Sequence, residues 1–269
     1  MKNKKDQRSY KVIQANDFIR HMRTDKLNAI EANIAYFLIS KVKPDDKDFM
    51  KVTFSVSEFC QVCGVDGFND SGQNYANVKG ALKSLADKSA WVETISERGR
   101  PATTLVRWVD TYTIEGGSGV VDATLSQSIK PYLLNLTEHF TQAELRTFLA
   151  MKSAYSKRLY ELLRSYIHSK PEYSGRHITK EFEILDLKKL LNAENYGRFK
   201  DFRVNVLKIA EREINAVSDM ELSFTPIKPG RITTHVSFFV KLKIPLERLS
   251  ASAQADAVLD RTEQLTILD

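Results

Sequence analysis

Apolar residues recur along the chain at two spacings, and these spacings predict an alternation of amphipathic helices and strands. Between Leu27 and Val42 they recur at steps of three and four, which is typical of a core helix. Between Trp91 and Val109, β-branched and aromatic residues form two runs joined by a basic tip, which indicates a hairpin. The full predicted order is helix, strand, short helix, turn, helix and hairpin, at residues 27–42, 52–56, 57–64, 66–72, 73–85 and 91–109. This is the element order of a winged helix-turn-helix domain, whose wing is the hairpin.

The same order returns in the second half of the chain. The second set is again helix, strand, short helix, turn, helix and hairpin, at residues 141–169, 177–180, 181–191, 192–197, 197–215 and 222–240. Two copies of one order arise by chance less readily than one copy does. We therefore predict an α+β protein that contains two tandem winged helix-turn-helix domains.

Composition breaks set the predicted domain boundaries. The segments are a basic N-terminal arm, a first and a second winged-helix domain, and a polar C-terminal tail, at residues 1–25, 26–125, 126–245 and 246–269. The arm is expected to be mostly solvated, with a short edge strand at 10–14. The Gly-rich segment 115–119 is either a linker or a strand-to-strand turn. The tail is predicted to be a frayed helix or disordered.

The helix predicted from Gly197 to Asn215 has two different faces. Its apolar stripe is formed by Phe199, Phe202, Val206, Ile209, Ala210 and Val217, and Glu213 falls on the same face. The opposite face and its flanks carry Arg, Lys, Asp, Asn and Val side chains. Arg and Lys suit guanine, Asn suits adenine, Asp accepts from cytosine, and an exposed Val can contact a thymine methyl. By itself the helix fits a solvated amphipathic helix equally well, and the repeated winged-helix order favours DNA binding.

Charge, hydropathy and cysteine content narrow the class of protein. The formal charge is +6, and the acidic segment after residue 245 leaves a larger positive surplus on the rest of the chain. Such a surplus favours a polyanion as partner, either nucleic acid or an anionic membrane surface. No apolar run is long enough to span a bilayer and no secretory segment follows Met1, so a cytosolic protein is expected. Cys60 and Cys63 lack a second pair or a nearby His, which favours structural packing over metal or redox chemistry.

Enzyme classes that act on DNA lack support in this sequence. A rolling-circle initiator needs paired metal-binding histidines, and no His-x-His spacing occurs among the five histidines. A P-loop ATPase needs a Gly-x-x-x-x-Gly-Lys-Ser/Thr segment, which is also absent. The hairpin wings argue against a tyrosine recombinase. We therefore predict no catalytic residue, no metal site and no cofactor.

Several segments resemble one family, the initiator replication proteins of iteron-bearing bacterial plasmids. The segment at 155–166, Tyr-Ser-Lys-Arg-Leu-Tyr-Glu-Leu-Leu-Arg-Ser-Tyr, is similar to that family, as are the residues at 210–215 and the Ser218-Asp219 pair. The segment 33–39 and the pattern near Leu82 extend the resemblance over most of the chain. It implies tandem winged-helix modules that bind directly repeated double-stranded origin DNA. The second module places its last helix in the major groove, and the first contacts the rest of the repeat and forms a dimer.

The resemblance also implies partners and a cellular setting. In such a family, monomers open the origin together with a host initiator and the replicative helicase, whereas dimers repress their own gene. The protein is then expected in the bacterial cytoplasm, with no membrane as a partner. The alternative is a winged-helix transcriptional repressor with no initiation role, which the fold alone does not separate from an initiator. Tandem modules favour long direct repeats over a short palindrome.

Two sets of DNA-contacting residues are expected, one implied by the resemblance and one inferred from charge and position. The base contacts are expected from the first three turns of the helix, at Arg198, Lys200, Asp201, Arg203, Val204, Asn205 and Lys208. Charge and position suggest phosphate or positioning contacts from Gln73, Asn77, Lys83, Arg98, Arg100, Lys157, Arg158, Lys228 and Arg231. Lys157 and Arg158 fit the solvated side of their helix equally well.

Overall fold

The chain forms two compact units, each of which combines helices with antiparallel sheet. A computed structural model describes residues 4–43, 46, 51–64, 73–96, 98–167 and 177–265. The first unit comprises Met1–Ala150 and Asp256–Asp269, and the second comprises Met151–Ala255. The division therefore falls later than the predicted boundary at residue 125, because residues 126–150 pack within the first unit.

The first unit is built mainly from the first 150 residues of the chain. Its helices are α1 (Lys4–Arg8), α2 (Asn16–His21), α3 (Ala29–Ser40), α4 (Val56–Cys63), α5 (Gln73–Asp87) and α6 (Leu145–Ala150). Its strands are β1 (Lys11–Ala15), β2 (Met22–Thr24), β3 (Val52–Ser55), β4 (Ser89–Ile95), β5 (Pro101–Arg107), β6 (Val109–Ile114), β7 (Val120–Leu125) and β8 (Phe140–Glu144). They pair antiparallel in the orders β1-β8, β2-β4-β5 and β3-β7-β6. A 3₁₀ helix spans Gln127–Tyr132.

The predicted core helix of the first unit is α3, which starts with a capping box. The Asn28 side chain accepts a hydrogen bond from Glu31 N at 3.0 Å, and the Glu31 carboxylate accepts one from Asn28 N at 2.8 Å. Lys88 Nζ donates to the same carboxylate at 2.5 Å. Burial alone would raise the pKa of Glu31, but these hydrogen bonds outweigh burial and lower it. Glu31 therefore stays ionised where α3 enters the core.

Helix α4 starts earlier than the predicted short helix at 57–64, for which Ser57 is a plausible N-cap by sequence. The N-cap is instead Ser55, whose hydroxyl accepts a hydrogen bond from Glu58 N at 2.9 Å. Gly64 ends the helix as predicted, with a φ of 60°. A Cβ at this position would lie 2.8 Å from the Leu259 carbonyl oxygen. Glycine is therefore needed at residue 64 both for its backbone conformation and for the close approach of the C-terminal helix.

The N-terminal residues are part of the first unit, which corrects the prediction of a solvated arm. The Arg8 side chain is fully buried. Its Nε and Nη2 donate to the carbonyls of Val62 and Gln61, at 2.9 and 3.1 Å, and its Nη1 donates to Asp260 at 2.7 Å. A cation thus covers carbonyls at the C-terminal end of α4, where the helix dipole favours positive charge. The edge strand predicted at 10–14 is confirmed as β1.

The partner of β1 is a segment for which the sequence prediction was wrong. Residues 141–169 were predicted to form one long helix, but Phe140–Glu144 is strand β8 and pairs antiparallel with β1. Within β8, Thr141 and Ala143 are buried while Phe140 and Gln142 are exposed, which is the alternation of a strand. Helix α6 then follows, and the chain leaves helical conformation at 151–153. The Gly-rich segment 115–119 is the turn between β6 and β7, so of the two predicted alternatives the turn is confirmed.

The second unit contains the second predicted set of elements. Its helices and strands are α7 (Ala154–Arg164), β9 (His177–Glu183), α8 (Ile184–Leu191), α9 (Phe199–Phe202), α10 (Lys208–Val217), β10 (Met220–Ile227) and β11 (His235–Leu242). A π turn, Arg203–Leu207, joins α9 to α10, and we call residues 199–217 the composite helix. The sheet has the antiparallel order β10-β11-β9. Helix α7 packs against α10, with Leu159 and Leu162 fully buried.

The C-terminal segment is an ordered helix, α11 (Pro245–Leu265), and not the frayed or disordered tail that was predicted. Its residues from Asp256 onward belong to the first unit. There Leu259 is 3% exposed, and Arg146 Nη1 donates to the Asp256 carboxylate at 2.5 Å. Charge pairing with Arg146 and Arg8 explains why a segment of largely polar composition packs in an ordered way.

Candidate nucleic-acid interface

The turn before the composite helix is held by a buried lysine. Lys188 of α8 is 7% exposed, and its Nζ donates to the carbonyls of Tyr196 and Gly197, at 2.5 and 3.4 Å. The same ammonium lies 5.6 Å from the centroid of the Phe202 ring. Lys188 therefore fixes the position at which the composite helix begins. The sequence carried a signal for it that we missed, because Lys188 falls among the apolar positions Ile184, Leu187 and Leu191 of an amphipathic helix.

The other end of the composite helix is fixed to strand β10. The Asn215 side chain donates to Leu222 O at 2.9 Å and accepts from Leu222 N at 2.6 Å, as a neighbouring strand would. Lys243 Nζ donates to the carbonyls of Asn215 and Ser218, at 2.6 and 2.9 Å, and so caps the helix C-terminus. Burial lowers the pKa of Lys243 although nearby acids oppose this shift. Asn215, which the helical spacing put on the outward face, is therefore a structural residue.

All seven predicted base-contacting residues lie on the exposed side of the composite helix or at its N-cap. Arg198 is the N-cap, and the six others follow within the next ten positions, each of them exposed to solvent. Val204 is 55% exposed, a large value for an apolar side chain. Lys208 is partly engaged within the protein, because its Nζ lies 2.5 Å from the Glu211 carboxylate and 5.0 Å from the Phe224 ring centroid. The side chains free to meet a ligand are concentrated before Lys208.

The buried side of the composite helix differs from the predicted stripe. Phe202, Val206, Ala210 and Val217 are buried as expected. However, the sequence prediction missed Leu207 and Ile214, which are fully buried, and two residues of the predicted stripe, Phe199 and Ile209, are only half-buried. The change of register follows the π turn, in which Lys208 N donates to Arg203 O, five residues earlier.

Two of the predicted phosphate contacts do not fit the structure. Lys157 is 1% exposed and its Nζ donates to Met151 O at 2.5 Å. Arg158 is 7% exposed, donates to Leu190 O at 3.2 Å and pairs with the Glu161 carboxylate at 2.8 Å. Both side chains are core residues that satisfy backbone carbonyls and a buried acid. The prediction that they contact phosphates is therefore wrong, and so is the alternative that they are solvated.

Six of the seven remaining predicted positioning residues lie on exposed surfaces of their own units. Lys228 and Arg231 are exposed in the loop between β10 and β11, which is the wing of the second unit. In the first unit, Asn77 and Lys83 are exposed on α5, and Arg98 and Arg100 are exposed at the tip of the β4–β5 hairpin. Gln73 begins α5, but its side chain lies outside the described residues.

The cysteines lie within the core of the first unit. Cys60 and Cys63 are both buried in α4, and burial raises the pKa of Cys60 to about 11. This thiol is therefore protonated at neutral pH, which fits a packing role. In the described part of the chain, His, Cys, Asp and Glu side chains do not gather in groups of three that could hold a metal ion. None of the helices described is both long and apolar enough to cross a membrane.

Comparison with known proteins agrees with this architecture. Residues 11–164 match the family model described as "Initiator Replication protein, WH1", and residues 183–240 match "Initiator Rep protein, WH2". The fold is similar to the crystal structure of Pi initiator protein in complex with iteron DNA, with a TM-score of 0.70 and 17% identity, over 88% of this chain and 98% of that chain.

A second similar structure is the WH1 domain of MSBI1.176, a replication protein isolated from a multiple sclerosis patient. It has a TM-score of 0.31 and 17% identity, over 39% of this chain and 77% of that one. The two family models together span most of the chain and correspond to the two predicted winged-helix modules, which are thereby confirmed. The chain belongs to the family of initiator replication proteins that contain WH1 and WH2 winged-helix modules.

Proposed function

We propose that this protein initiates plasmid replication by binding directly repeated double-stranded DNA, without enzymatic chemistry, and that its composite helix enters the major groove. The observation that carries the proposal is the exposed run Arg203, Val204 and Asn205 on a helix that is fixed to its core at both ends. Lys188 holds its beginning and Asn215 its end. A guanidinium, an apolar side chain and an amide offer three different contacts to base edges.

Membership of the initiator family supports this function, since its relative Pi initiator protein was crystallised in complex with iteron DNA. The base contacts proposed are Arg198, Lys200, Asp201, Arg203, Val204, Asn205 and Lys208. The phosphate or positioning contacts proposed are Gln73, Asn77, Lys83, Arg98, Arg100, Lys228 and Arg231. Phosphate contacts fix the register of a protein on the duplex, and base contacts supply its specificity.

A further part of the proposal concerns host partners and cellular setting. The family resemblance supports recruitment of a host initiator and the replicative helicase to the opened origin, in the bacterial cytoplasm. It also supports repression of the protein's own promoter by a dimer. The alternative is a transcriptional repressor without an initiation role. Selecting bound fragments from the DNA that encodes this chain distinguishes the two, because an initiator should recover tandem repeats near the gene and a repressor a lone promoter palindrome.

Pairing of two copies through the first unit is supported by an apolar patch on its sheet. Trp91 of β4 lies directly opposite Leu105 of β5, and the two side chains are 51% and 42% exposed. Ile95, on the same face at the end of β4, is 69% exposed. Large apolar side chains that lie next to each other on a solvent-exposed surface are typical of protein–protein interaction sites. We propose that this patch forms the dimer contact.

Replacing Arg203 by alanine tests the proposed base contacts. We expect binding to the selected repeat duplex to weaken by ~1–3 kcal/mol, because a bidentate contact to a base is lost. Binding to random duplex should weaken less. Fluorescence anisotropy with both duplexes at one salt concentration measures the ratio of the two affinities.

Arg212→Ala is the matched control, because Arg212 is also exposed on the composite helix but lies beyond its first three turns. Its effect on the affinity ratio should be small. An equal loss on repeat and random duplex for Arg203→Ala would mean that Arg203 contacts only phosphate.

Replacing Trp91 by alanine tests the proposed dimer contact. We expect the monomer–dimer dissociation constant from sedimentation equilibrium to rise by at least about tenfold, since an aromatic anchor of an interface typically contributes about 2 kcal/mol or more. Phe239→Ala is the control, because Phe239 is 42% exposed on the sheet of the second unit. A dissociation constant that changes equally in both variants would refute a specific role for the patch.

A further inference from the structure

The composite helix contains one residue more than a regular α-helix would need to place the same buried side chains on one face. Its buried apolar positions are Phe202, Val206, Leu207, Ala210, Ile214 and Val217. On a regular α-helix, at ~100° per residue, these six positions would spread over about 140°. If a single residue were removed between Phe202 and Val206, the same six would fall within about 100°.

The surplus residue therefore lies among Arg203, Val204 and Asn205, and the π turn absorbs it. The hydrogen bond from Lys208 N to Arg203 O spans five residues in place of four, so the turn holds one residue more than an α-helical turn. All three residues are exposed, so none of them packs into the core. A π turn is rare within helices and is found frequently at functional sites.

We infer that the π turn is a specificity device, which keeps Arg203, Val204 and Asn205 together on the exposed side of the composite helix while its buried stripe stays on the core. In a regular helix three consecutive side chains spread over ~200°, so one of them is directed to a flank. In a π turn each hydrogen bond spans five residues, so consecutive side chains are separated by a smaller angle around the helix axis than in an α-helix. This inference rests on the proposed entry of the composite helix into the major groove.

The three side chains then meet a defined set of base groups. Arg203 matches the O6 and N7 acceptors of guanine, and the Asn205 amide matches the N6 and N7 of adenine. Val204, in the middle and 55% exposed, has no hydrogen-bonding group and fits the 5-methyl group of thymine. The π turn thus makes Val204 a specificity-determining residue, at a position where an exposed valine contributes nothing to packing.

Deletion of Val204 tests the effects of the π turn on folding and on DNA recognition separately. The shortened helix should be a regular α-helix whose core face is complete, so its far-UV circular dichroism and its urea midpoint should match or exceed those of the full-length chain. The ratio of affinities for repeat and random duplex should fall by at least about tenfold, because the alignment with the bases is lost. Val204→Ala, which keeps the chain length, should reduce this ratio less than the deletion does.

A deletion variant that folds and keeps the full affinity ratio would overturn the inference. An unfolded deletion variant would contradict the register argument on which it stands. If the unmodified protein itself does not prefer repeat over random duplex, the proposed function fails, and this outcome is recognised before any variant is compared.

A second measurement addresses the thymine contact in the intact chain. Thymines of the repeat are replaced one at a time by deoxyuridine, which removes only the 5-methyl group. At one position the unmodified protein should lose affinity several-fold, whereas Val204→Ala should bind both duplexes equally. Equal losses for the two proteins at every position would show that Val204 does not contact a thymine methyl.

Discussion

Replacing Asp219 by alanine is expected to destabilise the second unit by ~3–5 kcal/mol, the typical cost of removing one partner of a buried ion pair. Asp219 accepts hydrogen bonds from Arg164 Nε at 3.0 Å and from the Tyr160 hydroxyl at 2.9 Å. The Arg164 side chain is 4% exposed. Burial alone would lower the pKa of Arg164, but interactions with the Asp219 carboxylate and with Tyr160 together outweigh burial and raise it. Without Asp219 a charged guanidinium remains buried in α7.

The measurement can be assigned to one unit, because both tryptophans of the chain, Trp91 and Trp108, lie in the first unit. In urea titrations the circular dichroism transition of Asp219→Ala should shift, whereas the tryptophan fluorescence transition should not. Asp186→Ala is the matched control, since Asp186 pairs with Lys189 and both side chains are more than half exposed. Exposed pairs contribute ~0–1 kcal/mol. Equal stabilities for the two variants would contradict a buried Arg164–Asp219 pair.

Replacing Asp260 by alanine is expected to destabilise the first unit by about 3 kcal/mol, because the fully buried guanidinium of Arg8 loses its carboxylate. The carbonyls of Gln61 and Val62 remain as acceptors, but a neutral carbonyl stabilises a cation less than a carboxylate does. Asp260 is 34% exposed, so the loss should lie at the lower end of the range for buried pairs. The tryptophan fluorescence transition in urea is the appropriate measurement.

Arg261→Ala provides the control for Asp260→Ala, because it changes an exposed charge at the next position of α11. Such surface substitutions usually alter stability by less than ~0.5 kcal/mol. If Asp260→Ala left the fluorescence transition unchanged, a stabilising Arg8–Asp260 ion pair in the first unit would be contradicted.

The correct sequence predictions concern features that neighbouring residues determine, and the incorrect ones concern features that tertiary contacts determine. The side chains on the outward face of the composite helix were identified because amphipathic spacing is a local property. Lys157 and Arg158 were misassigned because charged side chains are normally exposed. Here both are buried, and backbone carbonyls and the Glu161 carboxylate stabilise their charges. Strand β8 was mistaken for helix because its conformation depends on pairing with β1, more than a hundred residues away in the chain.

The sequence by itself determined the repeated winged-helix order, the basic character and the chemistry of the exposed side chains, because propensity and periodicity are encoded in neighbouring residues. Only the tertiary structure decided the register within the composite helix. Both Leu207 and Ile209 are apolar, so the sequence permits two buried stripes, and the core selects the one that contains Leu207 and Ile214. The π turn accommodates that register and keeps Arg203, Val204 and Asn205 exposed.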